Sequence, residues 1–174
     1  MKWVTAIIAA MVLAFAAAQY TIHQKNASPQ GEGAFYRVVY VYDGDTIKLD
    51  NGERVRLIGI DTPESHDSPK LERDIKKSKM DRQVILAMGE RAATFSRNLL
   101  LNQHVRLEMD VEPRDRYQRL LAYVYLADGT FVNEKIIREG YASPLTVPPN
   151  VRHADEFKEW FKEARENKRG LWND

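Results

Sequence analysis

From residue 35 onward the chain falls into short apolar runs, each closed by a polar turn. Residues 35–42 (FYRVVYVY) are β-branched and aromatic and run into Asp43-Gly44. Residues 46–49 (TIKL) run into the turn 50–53 (DNGE), and 54–60 (RVRLIGI) begin with apolar-polar alternation. Such runs between Asp-Gly and Asn-Gly pairs predict three strands joined by two tight turns, a β-meander. Two further strands are predicted at 104–111 (HVRLEMDV) and 119–126 (RLLAYVYL), the second followed by Asp128-Gly129. Apolar residues at helical spacing predict helices over 89–101 (Ala92, Phe95, Leu99), over 131–139 before Gly140, and over 153–168 before Gly170. In the last of these, Phe157, Trp160, Phe161 and Ala164 form a stripe that reads as core packing. Five short strands and three helices predict a mainly β protein with helices (α+β), built on a five-stranded OB-type barrel.

The pattern before residue 35 is different. Met1-Lys2 is followed by an uncharged run over 3–18 (WVTAIIAAMVLAFAAA), with small residues at its end. This is the pattern of a secretory signal peptide over residues 1–18, and the run is short of the roughly twenty apolar residues of a membrane span. The expectation is an exported protein, secreted or periplasmic. The alternative is an uncleaved N-terminal anchor that holds it at a membrane. Residues 19–34 are polar, contain Gly, Pro and Ser, and read as a flexible linker to a domain over 35–174.

Composition narrows the chemistry. The 174 residues make up about one domain, with 44% apolar and 29% charged residues. There is no cysteine, which excludes disulfides, a thiolate nucleophile and thiolate metal sites. The four histidines form no HExxH pair, so a zincin is excluded. A formal net charge of +1 excludes a uniform basic field, so any contact with a polyanion depends on local placement of charge.

Three clusters offer that placement: Asp43-Gly44-Asp45-Thr46, then Arg56 with Asp61-Thr62-Pro63-Glu64, then 115–119 (DRYQR). Singly, each has a plain explanation as a turn, a strand end or a solvated loop. Together they place Asp45 and Asp61 at the ends of neighbouring strands. There, two carboxylates repel unless a proton or cation lies between them. A hard divalent ion takes such oxygens. The spacing is not an EF-hand, because counting from Asp43 the sixth residue is Lys48 and the twelfth Arg54. Arg56 and Arg119 supply planar forks that match phosphate oxygens. Two arginines, a metal and a carboxylate are the parts phosphoryl transfer needs. The arginines could instead simply neutralise the aspartates.

The segments VYDGDTIKL, VRLIGIDTPE, RLEMDVEPRDRYQRLLAYVYLADG, FVNEKIIREGYAS, PPNVRH and ARENKRGLW resemble the staphylococcal nuclease (thermonuclease) family, in the family's order. The resemblance implies an OB barrel with three helices and calcium-dependent hydrolysis of DNA and RNA that leaves 3′-phosphates. It implies Asp45, Asp61 and the Thr62 carbonyl as Ca²⁺ ligands, and Glu64 as the base or water-orienting group. Arg56 and Arg119 are implied to grip the phosphate, with Tyr117 and Arg116 beside the nucleotide's terminal phosphate. The alternative class is a non-catalytic nucleic-acid-binding OB module. No protein partner is expected, and the chain reads as a monomer.

Two departures from the family bear on the site. Gln118 stands where the family commonly has glycine, and a positive φ there would cost glutamine about 1–2 kcal/mol. Residues 141–150 lack the paired tyrosines that stack on a base in the family's best-known member. The stretch 65–84 has six basic and four acidic residues and looks like an enlarged form of the family's mobile loop. Its lysines Lys70, Lys76, Lys77 and Lys79 are expected to follow substrate phosphates, unless the stretch is only a solvated, partly helical loop.

Overall fold

Val38, Val41, Ile47, Leu49, Val55, Leu57, Leu120 and Ala122 all turn inward and are almost wholly buried. They alternate with outward residues along four strands, as half-buried strands require. The computed structural model describes residues 33–173. The leader over 1–18 and the linker up to residue 32 lie outside the described residues. No helix among the described residues is long and apolar enough to cross a membrane.

The elements run in order as β1 (Phe35–Val41), β2 (Thr46–Leu49), β3 (Arg54–Leu57), β4 (Gly59–Asp61), α1 (Pro69–Ser78), α2 (Arg82–Leu100), β5 (His104–Glu108), β6 (Leu120–Leu126), α3 (Val132–Arg138), β7 (Ser143–Leu145) and α4 (Ala154–Glu166). A short 3₁₀ turn follows at Gly170–Trp172. Strands β1-β2-β3-β6-β5 form a closed barrel, and β4 and β7 make a separate two-stranded sheet. The meander β1-β2-β3 is antiparallel as expected, β1 pairs with β5, and β3 pairs with β6 in parallel. This is the five-stranded OB-type barrel with helices that the residue pattern predicts. The stripe on α4 is core, with Phe157 and Ala164 buried and Trp160 and Phe161 packed against the barrel's cluster.

The boundaries differ in four places. The strand predicted over 54–60 breaks at Ile58, because Gly59 has φ +82° and a Cβ on it would lie inside the Phe157 ring. Its second half, β4, turns away and pairs with β7, in the segment 141–150. The helix predicted from residue 89 starts at Arg82, where the Asp81 side chain caps Gln83 N–H. The stretch 65–84 is mostly helical. In it, Ser68 Oγ accepts from Leu71 N–H, Pro69 opens α1, and Leu71 is fully buried. The strand predicted over 104–111 ends at Glu108.

Candidate active site

The turn between β1 and β2 is built locally and then locked from outside. Asp43 Oδ1 accepts the Asp45 N–H at 3.0 Å, an Asx turn. Ser96 on α2 donates to the Gly44 carbonyl at 2.7 Å. A Cβ on Gly44 would collide with the Thr62 side chain, so only glycine lets the two strand ends close up. Asp45 is then 4% exposed, with both oxygens engaged. Its Oδ1 meets Arg56 Nη1 at 2.7 Å and Thr46 Oγ at 3.1 Å. Its Oδ2 accepts from Thr62 N–H at 2.9 Å and Thr62 Oγ at 3.1 Å.

Arg56 joins the two aspartates that the sequence places at neighbouring strand ends. Its Nη2 reaches Asp61 Oδ1 at 3.0 Å while Nη1 holds Asp45. Arg119 comes in on the parallel neighbour strand. Its Nε pairs with Asp115 Oδ2 at 2.8 Å and its Nη1 lies 3.4 Å from Thr46 Oγ. A chain of polar contacts therefore runs from Arg119 through Thr46 and Asp45 to Arg56. Gln118 has φ +63°, so the left-handed position expected there is real, and its N–H closes the turn onto Asp115 O at 2.9 Å. Beside it, Arg116 bonds the Tyr117 hydroxyl at 2.7 Å, and both Arg116 and Arg119 lie over the exposed Tyr117 ring.

Lys70 stands apart from the other loop lysines. Helix α1 carries its ammonium inward, where it meets Asp61 Oδ1 at 3.1 Å, Glu64 Oε1 at 3.1 Å and the Thr62 carbonyl at 2.6 Å. Glu64 is held on its other oxygen by Ser68 Oγ at 2.7 Å. Lys76, Lys77 and Lys79 are exposed on or just after the end of α1, so the four lysines do not form one surface.

The charges respond to this crowding. Burial, then the neighbouring Asp45, pushes the Asp43 carboxyl up to about 7. Burial would raise Asp45 too, but Arg56, Lys70 and the Thr62 N–H hold it below the ordinary carboxylate value. For Asp61, burial and Asp45 outweigh Lys70 and Arg56, and the carboxyl is raised. Burial would lower Lys70, yet Asp61, Asp45 and Glu64 together raise it.

Two tests bear on a metal ion. No group of three acidic or imidazole side chains converges at metal-binding spacing among the described residues. The physical reason is visible: Lys70 fills the space, and one of the donors is the Thr62 main-chain carbonyl. Asp61, Thr62 and Glu64 offer only hard oxygens, and these already surround a positive charge. The donor set therefore fits a hard cation.

Against both arginines lies a cavity of about 330 Å³, with Tyr117 and the aliphatic Leu121, Leu145 and Val147 in its wall. Sequence reasoning missed Ser96, Ser68 and Asp115 as supports. Ser96 carried no local signal. Asp115, four residues before Arg119, did.

A barrel that presents paired arginines and clustered carboxylates beside an apolar cavity has the parts a phosphoryl-transfer enzyme on an OB fold needs. Comparison with known proteins bears this out. The staphylococcal nuclease homologue family matches residues 54–174. A thermonuclease of Staphylococcus intermedius is 39% identical over 151 residues, spanning 85% of this chain and 82% of the relative. A thermonuclease of Staphylococcus hyicus is 36% identical over 141 residues (79% and 75%), and endonuclease YncB of Bacillus subtilis (strain 168) is 34% identical over 158 residues (88% and 67%). The chain belongs to the staphylococcal nuclease family, and it is a nuclease that hydrolyses phosphodiester bonds of nucleic acid.

Proposed function

We propose that the chain is a calcium-dependent endonuclease that cuts DNA and RNA and leaves 3′-phosphates. The observation that carries this reading is the bridge of Arg56 across Asp45 and Asp61, with Arg119 linked to the same group through Thr46. Asp45, Asp61 and the Thr62 carbonyl would hold the cation once the Lys70 ammonium is displaced. When bound, Ca²⁺ supplies Lewis-acid stabilisation of charge on the phosphate. Glu64, fixed by Ser68, orients or deprotonates water. Arg56 and Arg119 face charge that grows on the phosphoryl oxygens, and being fixed in advance they need little rearrangement to do so. The cavity beside them takes the nucleotide's base on Leu121, Leu145 and Val147, and Tyr117 and Arg116 meet its terminal phosphate. Export through residues 1–18 as a monomer completes the reading, and it would place the enzyme where calcium is plentiful.

The test is incubation of the purified chain 19–174 with denatured DNA in Ca²⁺ and in a calcium chelator. Cleavage should need Ca²⁺, and the products should resist polymerase extension until a phosphatase removes the 3′ group. Full cleavage in chelator overturns the metal requirement. Directly extendable ends overturn the bond assignment.

A further inference from the structure

The outer face of the meander carries a second row of side chains next to the catalytic one. Ile47, Leu49, Val55 and Leu57 point into the core, so Thr46, Lys48, Arg54 and Arg56 share the outer face. Thr46 pairs with Arg56 across β2 and β3, and Lys48 pairs with Arg54. Lys48 also pairs with Tyr40 on β1. The row Tyr40-Lys48-Arg54 therefore lies two residues along from Thr46-Arg56, about 6.6 Å at the usual strand rise. That step is comparable to one nucleotide of an extended strand.

The chemistry of this row is unspent. Among the described residues Lys48 and Arg54 form no ion pair, whereas Arg56, Arg114 and Arg119 all do. The neighbouring Glu53 is already taken by Arg114, at 2.8 Å and 3.0 Å. Asp50 is the one carboxylate of the β2–β3 turn left without an ion pair. Tyr40 is 54% exposed, and its ring meets the exposed Tyr42 edge-on at 4.9 Å. Free cations beside open aromatic rings on an OB barrel are what single strands use: the cations follow phosphates, and the rings stack on unpaired bases. A duplex hides those base faces.

We infer that Tyr40, Lys48 and Arg54 form a flanking subsite for a single-stranded polynucleotide whose scissile phosphate lies at Arg56. This assignment rests on the nuclease reading of the neighbouring site. The row touches no reacting atom. It sets how substrate length and strandedness are read.

The experiment is fluorescence anisotropy with labelled oligothymidylates of two and eight nucleotides, in chelator so that nothing is cut. For the wild-type chain, affinity should climb from the dimer to the octamer. In Lys48→Gln/Arg54→Gln the slope of log K against log salt for the octamer should fall by about 1.4, from two contacts of about 0.7 each. Tyr40→Ser should weaken octamer binding about tenfold. Circular dichroism melts confirm that each variant is folded. An unchanged octamer affinity and salt slope in the double variant overturns the subsite, as does a duplex that competes as well as the single strand. If the wild-type chain cuts DNA but shows no gain with length, the subsite fails and the nuclease reading stands. If it neither binds the octamer in chelator nor cuts denatured DNA in Ca²⁺, both fail together.

Discussion

Lys70 shows how one side chain can change the meaning of a cluster. The carboxylates and the carbonyl around it were assembled to hold positive charge, and the chain supplies one itself. Lys70→Met should leave Glu64 without a counter-charge and Asp61 with Arg56 alone. Its half-buried setting puts the loss of stability in chelator on the order of 1–2 kcal/mol. The same variant should bind Ca²⁺ more tightly, because no ammonium has to be displaced. Thermal melts in chelator and calorimetric Ca²⁺ titration read the two effects, and equal values for both proteins would reduce Lys70 to a surface residue. Arg56→Lys should lower kcat on the order of 10²-fold, since one ammonium cannot span Asp45 and Asp61 as the two Nη groups do. Steady-state rates on denatured DNA check this, and near-normal turnover in a folded variant would make Arg56 structural. The aspartates and arginines were legible in the sequence because short turns bring them to strand ends. The inward turn of Lys70 was not, because it depends on the path of a helix that the charge pattern concealed.

At the scale of elements, helix α2 rests on the segment Glu64-Ser65 through a missing side chain. A Cβ on Gly89 would press into the Glu64 carbonyl and the Ser65 nitrogen. In an ordinary exposed helix, Gly→Ala gains about 0.5–1 kcal/mol. Here Gly89→Ala should instead push the Glu64 backbone away from the metal donors and lower kcat about tenfold or more, since small displacements of a positioned group are costly. Rates and melts measured together decide it: higher stability with unchanged kcat would show that the contact yields. The caps Ser68-Pro69 and Asp81 were local signals for α1 and the start of α2. The break at Gly59 was not local, because the Phe157 ring that demands it arrives from the last helix. The three-residue β7 contains Pro144 and had no alternation to reveal it.

At the scale of the whole molecule, two carboxylates tie loops to the barrel and couple stability to acid. Burial would raise Asp110, but the Arg152 N–H at 3.2 Å and the Tyr123 hydroxyl at 2.9 Å hold it below the ordinary value. Burial would raise Asp115 as well, and Arg119 holds it down through side-chain and backbone bonds. A carboxyl depressed in the folded state adds stability above its unfolded pKa of about 3.9 and loses it as pH falls through the lower folded value. The share of stability these two carboxyls add, read as the urea-midpoint difference between the wild-type chain and Asp110→Asn/Asp115→Asn, should therefore hold steady from pH 7 to about 5 and shrink below about 4. Asp110→Asn/Asp115→Asn should be less stable at pH 7 and lose less on going to pH 3; an equal acid loss in both proteins would rule the pair out. The meander and the separate strands β5 and β6 could be read along the chain, but the parallel seam of β3 and β6 joins segments far apart in sequence. That seam has a consequence during synthesis. A nascent chain displays Asp45, Arg56 and Asp61 long before it has made Arg119, so the run of polar contacts from Arg119 through Thr46 and Asp45 to Arg56 closes only when β6 arrives beside β3.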